Sequence, residues 1–169
     1  MRSKYVMLSS ALVLAVLLAL PVLATAPTSP PLLERLNAKY FKINLFPDGS
    51  VKEISESETT FVMNGWTSEP GPPLPEDYPN WREMSGKEKN EFLKTASFEL
   101  YIDDVPVRLH RNQWYDHVNG VFSVLYYVVF PSYTFEADTY EFRGEWSLDF
   151  HGTAYTHTST VSVIVNQSS

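Results

Sequence analysis

The sequence predicts a mainly β protein, an antiparallel β-sandwich with one short helix, preceded by an N-terminal signal or anchor segment. Three observations point there. After Ala96, apolar and polar residues alternate with period two through most windows, as strands buried on one face require. The chain has 10 Phe, 10 Tyr and 4 Trp but no cysteine, so stability has to come from a packed core and not from disulfides. Arg2 and Lys4 precede an uncharged run from Tyr5 to Leu23, 19 residues long, that closes on Ala24-Thr25-Ala26. A basic head, an apolar middle and a small-residue exit are the parts of an export signal.

Residues 1–24 are therefore read as a signal peptide or an N-terminal membrane anchor. Ala24-Thr25-Ala26 fits the A-x-A cleavage pattern, but Pro27 follows it and restricts the residue before the cut. Val22-Leu23-Ala24 is the preferred site, leaving Thr25 as the new N-terminus. The alternative is an uncleaved anchor, since the run matches the roughly 17–25 residues of a spanning helix. Both branches place the rest of the chain outside the cytoplasm, because Arg2 and Lys4 hold the N-terminus inside. With no cysteine at the cleavage point, no lipid anchor is encoded.

Residues 25–36, with Pro27, Pro30 and Pro31, read as an extended Pro-rich stalk. Residues 37–169 then form a single domain of ordinary size. Tyr40 to Phe46, the turn Pro47-Asp48-Gly49, and Val51 to Ile54 predict a hairpin, and Thr59 to Met63 a further strand. Residues 69–79 contain five prolines and make a surface loop. Ser85 and Glu88 are spaced as a capping box and open the one helix, around Phe92 and Leu93. Phe98, Leu100 and Ile102 alternate into a second hairpin, turning at Asp103-Asp104 towards Val105, Val107 and Leu109, with Pro106 marking an edge. Val121 to Phe130 is almost wholly apolar, as a central strand buried on both faces would be. Tyr140 to Trp146, and the threonine-rich Thr153 to Val165, supply the last two strands.

The charge narrows the partners. Without residues 1–24, 11 basic residues stand against 20 acidic ones, a net charge of −9. Such a surface suits neither nucleic acid nor anionic lipid; it serves solubility, or affinity for cations or a basic partner. Nucleophilic catalysis has little footing, with no Cys and no G-x-S-x-G, and the seven glycines are scattered instead of forming a phosphate cradle.

Phe135-Glu136-Ala137-Asp138-Thr139-Tyr140-Glu141-Phe142 resembles the tyrosine corner of immunoglobulin-like sandwiches, with Asp138 and Tyr140 as its structural residues and Phe142 where those domains have Cys. The wider block, Phe98 to Val107 through Tyr127-Val128-Val129-Phe130-Pro131 to Tyr140–Trp146, resembles a domain recurring in exported prokaryotic proteins with no assigned activity. That likeness covers about the last 70 residues. It implies fold and export, and brings no catalytic residues with it.

Trp66, Trp81, Trp114 and Tyr115 fall in or beside loop-like segments and are the candidate binding residues, since exposed flat aromatics stack on sugars or grip peptides; the alternative is that they plug the ends of the sandwich. Glu141 and Glu145 share a strand face with Arg143. They lie about 13 Å apart, too far for a glycosidase pair, so a cross-strand carboxylate would be needed. His110, His117, His151 and His157 have no metal-ligand spacing, and Asp103-Asp104 and Glu136/Asp138 are ordinary turn residues as much as calcium ligands. Asn166-Gln167-Ser168 is a possible glycosylation sequon.

These readings give an exported or surface-anchored β-sandwich that acts as a non-enzymatic binding or adhesion module. It needs no cofactor or metal and its partner is an extracellular polymer or surface protein, with membrane contact only through the N-terminal segment. The alternatives are a carbohydrate-active enzyme on a jelly-roll-like sheet, using a Glu pair, and a structural subunit of a cell-surface assembly.

Overall fold

The computed structural model describes residues 31–68, 84–116 and 120–168. The signal or anchor segment, the stalk as far as Pro30, the Pro-rich loop, Trp81 and His117 lie outside the described residues. Among the described residues the fold is mainly β, with two helices and two sheets. In chain order the elements are α1 (Pro31–Asn37), β1 (Phe41–Lys42), β2 (Val51–Ser55), β3 (Thr60–Thr67), α2 (Gly86–Thr95) and β4 (Ser97–Ile102). They continue with β5 (Val105–Pro106), β6 (His110–Asp116), β7 (Val121–Phe130), β8 (Thr139–Phe150) and β9 (Thr153–Asn166).

One sheet has four strands in the order β1-β3-β7-β6, and the other has five in the order β2-β9-β8-β4-β5. Neighbours run antiparallel except β1 beside β3 and β2 beside β9, which are parallel. The inner faces of both sheets share one core: Val62, Trp66, Val124 and Phe130 from the first meet Phe98, Phe142, Trp146 and Val161 from the second. Strand alternation explains the sorting, because Phe142, Trp146, Leu148 and Phe150 point inward while Glu141, Arg143, Glu145, Ser147 and Asp149 point out.

Two expectations change. The predicted hairpin over 40–54 does not form, because β1 pairs in the four-stranded sheet and β2 in the five-stranded one. Ile43 and Leu45, both fully buried, carry the chain across the core between them. The turn residues are used all the same: Gly49 takes φ +70°, its N–H donates to the Thr160 carbonyl at 2.7 Å, and Asp48 accepts from the Thr160 N–H. The second half of the expected extended stalk is helix α1. Pro31 occupies its first position, where a missing N–H costs nothing and the fixed φ suits a helix. Leu36 is buried against Phe61 and Met63 on the outer face of the four-stranded sheet, with Leu32, Leu33, Leu125, Tyr127 and Val129 around it. Burying one such leucine is worth about 1.5–3 kcal/mol, which a seven-residue helix needs because it is marginal alone. That face of β7 is therefore covered by α1 and the other by the core, in keeping with an apolar run that only Ser123 interrupts.

Helix α2 has the capping box read from the sequence: the Ser85 hydroxyl accepts from the Glu88 N–H, and Glu88 accepts from the Ser85 N–H at 2.7 Å. Phe92 anchors it in the core, edge-on to Phe150 at 5.9 Å. The β4–β5 turn uses Asp103 and Asp104 at positive φ, which Asp tolerates, and Pro106 sits on the outermost strand.

Candidate functional site

Of the aromatic residues singled out from the sequence, Trp81 lies outside the described residues, and Trp66, Trp114 and Tyr115 do not converge. Trp66 lies on β3 and is 1% exposed, with its indole N–H donating to the Ser97 carbonyl at 2.8 Å; it is a core residue and offers no face to a ligand. Trp114 and Tyr115 belong to strand β6, not to a loop, and as neighbours they point to opposite faces. Trp114 is half-buried opposite Ser123. Tyr115 is partly exposed, with the Lys89 ammonium 4.8 Å from its ring centre.

The residues that do converge lie on the outer face of the five-stranded sheet, and register brings them together. Ser97, Ser147 and Thr156 form one row across β4, β8 and β9. Glu99, Glu145 and Thr158 form the next, and Tyr101, Arg143 and Thr160 the third. The first two rows line a depression of about 200 Å³, to which Trp146 and His157 also contribute. The hydroxyls of Ser97 and Ser147 are 2.6 Å apart.

Beneath this surface the packing is tight. A Cβ on Gly144 would meet Leu45 Cδ1 at 2.7 Å, Trp146 Cη2 at 2.8 Å and Phe98 Cε2 at 2.9 Å, so glycine is required for the Trp146 ring to lie where it does. His157 stacks on Phe46 at 5.7 Å and borders Trp146 at 5.4 Å, and its Nε2 is buried without a hydrogen-bond partner. The floor is thus rigid and aromatic while the surface is polar.

Like charges directly across two strands repel, so the Glu99–Glu145 pair has to be offset. Tyr101 Oη donates to Glu99 at 2.6 Å, and Arg143 donates to Glu145 at 2.5 Å and to Asp104 at 2.8 Å. The guanidinium lies 4.5 Å from the Tyr101 ring centre, which closes the network. The hydrogen bond to the Glu99 carboxylate pushes the Tyr101 phenol above its usual range, with desolvation adding to it. Glu145 keeps 37% of its side chain exposed and Asp104 84%, so the carboxylates stay accessible.

The other named positions have local roles. Tyr140 donates from its hydroxyl to the Glu136 carbonyl at 3.2 Å, and Asp138 accepts from the Thr139 N–H while its own carbonyl accepts from Val165. Asn166 ends β9, exposed, with its carbonyl accepting from Glu56 and the Ser168 hydroxyl donating to the Glu56 carboxylate. His110 lies by Tyr127, and His151 stacks on Phe150 with Nε2 3.2 Å from Glu88. Among the described residues no three His, Asp or Glu side chains gather as metal ligands, and no helix is long and apolar enough to cross a membrane.

No protein-family model matches the chain, and no curated protein or solved structure is similar to it. The resemblance expected for the last 70 residues draws no support from these comparisons, and the site rests on its own residues. Sequence reasoning named Glu145 and its need for a cross-strand partner, and missed Glu99, Ser97, Ser147, Thr156 and Thr158. No local motif marks them; only the pairing of β4, β8 and β9 makes them neighbours.

Proposed function

We infer that the chain is an exported, immunoglobulin-like β-sandwich that binds an extracellular hydroxyl-bearing polymer through the outer face of its five-stranded sheet, without catalysing a reaction. The observation that carries this reading is the register that sets Glu99 beside Glu145, and Ser97 and Ser147 beside Thr156, around one depression. Carboxylates accept hydrogen bonds and Ser/Thr hydroxyls both donate and accept, which is the complement a polyhydroxylated chain requires. At about 200 Å³ the depression is smaller than the roughly 300–1,000 Å³ of a drug-sized pocket, and it suits one unit of a polymer whose neighbours lie along the strands.

The immunoglobulin-like part of the reading is supported by strand order. With β1 and β2 taken as a first strand split between the sheets, β3, β7 and β6 take the places of B, E and D, and β9, β8 and β4 those of G, F and C. Tyr140 lies near the start of the strand in the F position and Phe142, fully buried, stands where such domains have Cys. The parallel β1–β3 pairing is a departure from that pattern. Export is supported by residues 1–24.

A second reading has one observation in its favour. Directly opposite residues have Cβ atoms about 4.5–5.5 Å apart, so Glu99 supplies the cross-strand carboxylate a retaining glycosidase would need. Against it, neither carboxylate is enclosed by apolar side chains in the way that holds a general acid protonated. Retention of the exported part on insoluble cell-surface polysaccharide, and release of reducing ends from it, test both. Glu99→Gln with Glu145→Gln abolishes retention under the binding reading. Release of reducing ends by the unaltered protein, lost in either single variant, replaces it with the enzymatic one.

A further inference from the structure

We propose that the corner formed by α1 and β1 is a membrane-surface contact, which turns the four-stranded sheet towards the bilayer and the polymer-binding face away from it. The inference rests on the export reading, in its uncleaved form, and goes beyond it by assigning a surface and an orientation. Three observations meet at this corner. First, the uncharged run ends at Leu23 and α1 begins at Pro31, so the seven residues between them span at most about 25 Å. Whatever holds the run therefore lies close to α1. Second, α1 is not a free tether. Leu32, Leu33 and Leu36 fix it on Phe61, Met63, Leu125 and Val129, so the position of the tether sets the orientation of the whole fold.

Third, the charge is unevenly placed. Residues 31–42 carry Arg35, Lys39 and Lys42 against Glu34, a net +2 in a chain that is otherwise acidic. Arg35 and Lys39 are exposed, and Phe41, 47% exposed, follows them. Basic side chains beside an exposed Phe gain electrostatic attraction to anionic headgroups together with apolar contact at the interface. The outer face of the five-stranded sheet instead has Glu99, Glu141, Glu145 and Asp149 against Arg143, and anionic headgroups repel it.

The full chain tests this, made without signal peptidase and inserted into nanodiscs of phosphatidylcholine with phosphatidylglycerol. Because the protein has no cysteine, Ala38→Cys and Thr158→Cys each take a single fluorophore, read against a headgroup-attached quencher. The expected result is several-fold stronger quenching at position 38 than at position 158. Arg35→Glu with Lys39→Glu, both at exposed positions, reduces quenching at position 38. Leu33→Ser with Leu36→Ser removes the difference between the two positions. Equal quenching at both sites of the inserted chain, or no response to the charge reversal, overturns the proposal. Failure of the chain to enter the discs overturns the anchor reading itself.

Discussion

Glu99 and Glu145 stand directly opposite one another on β4 and β8, and each has its own hydrogen-bond donor, Tyr101 for the first and Arg143 for the second. Two acidic side chains in that register destabilise the sheet, and hydrophobic or neutral residues would serve the fold as well. Both carboxylates line the depression on the outer face of the five-stranded sheet, and the proposed binding rests on that placement. Exchanging Glu99 for Gln should leave stability within about 0.5 kcal/mol, because the site is on the surface and one of two like charges is relieved. The same variant should lose polymer retention. Urea denaturation and sedimentation with polysaccharide, run side by side, separate the two effects; a large loss of stability would make Glu99 structural.

Trp66 behaves as core in this account. Trp66→Ala should cost about 3–5 kcal/mol, from lost apolar burial and the cavity left behind. Trp66→Phe should cost less, since it keeps most of the ring but leaves the Ser97 carbonyl without its 2.8 Å donor. Chemical denaturation of both variants checks the order. A Trp66→Ala protein of unchanged stability but altered binding would return Trp66 to the ligand site.

Tyr140→Phe removes one hydroxyl and nothing else, so the corner bond to Glu136 can be weighed alone. A loss of about 0.5–1.5 kcal/mol is expected, with no change in polymer retention because the corner is away from the depression. An unchanged midpoint would show that the corner adds nothing to stability.

The α2 cap gives a pH signature. The Ser85 hydroxyl and N–H, and then His151, hold the Glu88 carboxyl below its usual range. A carboxyl with a lowered folded pKa stabilises above its unfolded value, about 4.3, and that stabilisation disappears as pH falls through the folded pKa. The stability difference between the unaltered protein and Glu88→Gln should therefore be present at pH 7 and vanish in acid. Thermal melts across that range decide it, and a difference independent of pH would contradict the cap's electrostatic role. Ser85→Ala should cost about 1 kcal/mol.

How much of this was legible in the sequence follows from the range of each signal. The α2 cap and the Asp103-Asp104 turn are written in adjacent residues, and both are present as read. The run Val121–Phe130 reads as a central strand because two covered faces leave little room for polar positions, Ser123 being the one exception. Strand β6 was missed since, at the outside of its sheet, His110-Arg111-Asn112-Gln113 has no apolar alternation to read. The sequence over 40–54 has hairpin chemistry, yet turn residues cannot tell whether the flanking segments join one sheet or two. Trp66 looked like a loop residue because Asn64-Gly65 interrupts the apolar pattern, while the strand continues through both. The candidate site was least legible of all. Glu145 was visible as half of a pair, but Glu99 belongs to another strand whose register no local feature announces.

The most direct test of the central claim is retention of residues 25–169 on cell-surface polysaccharide, compared among the unaltered chain, Glu99→Gln with Glu145→Gln, and Trp114→Ala with Tyr115→Ala. The sheet-face account predicts that the Glu variant is lost from the pellet while the aromatic variant stays with it. Retention of the Glu variant together with loss of the aromatic one would contradict it and move the ligand surface to β6.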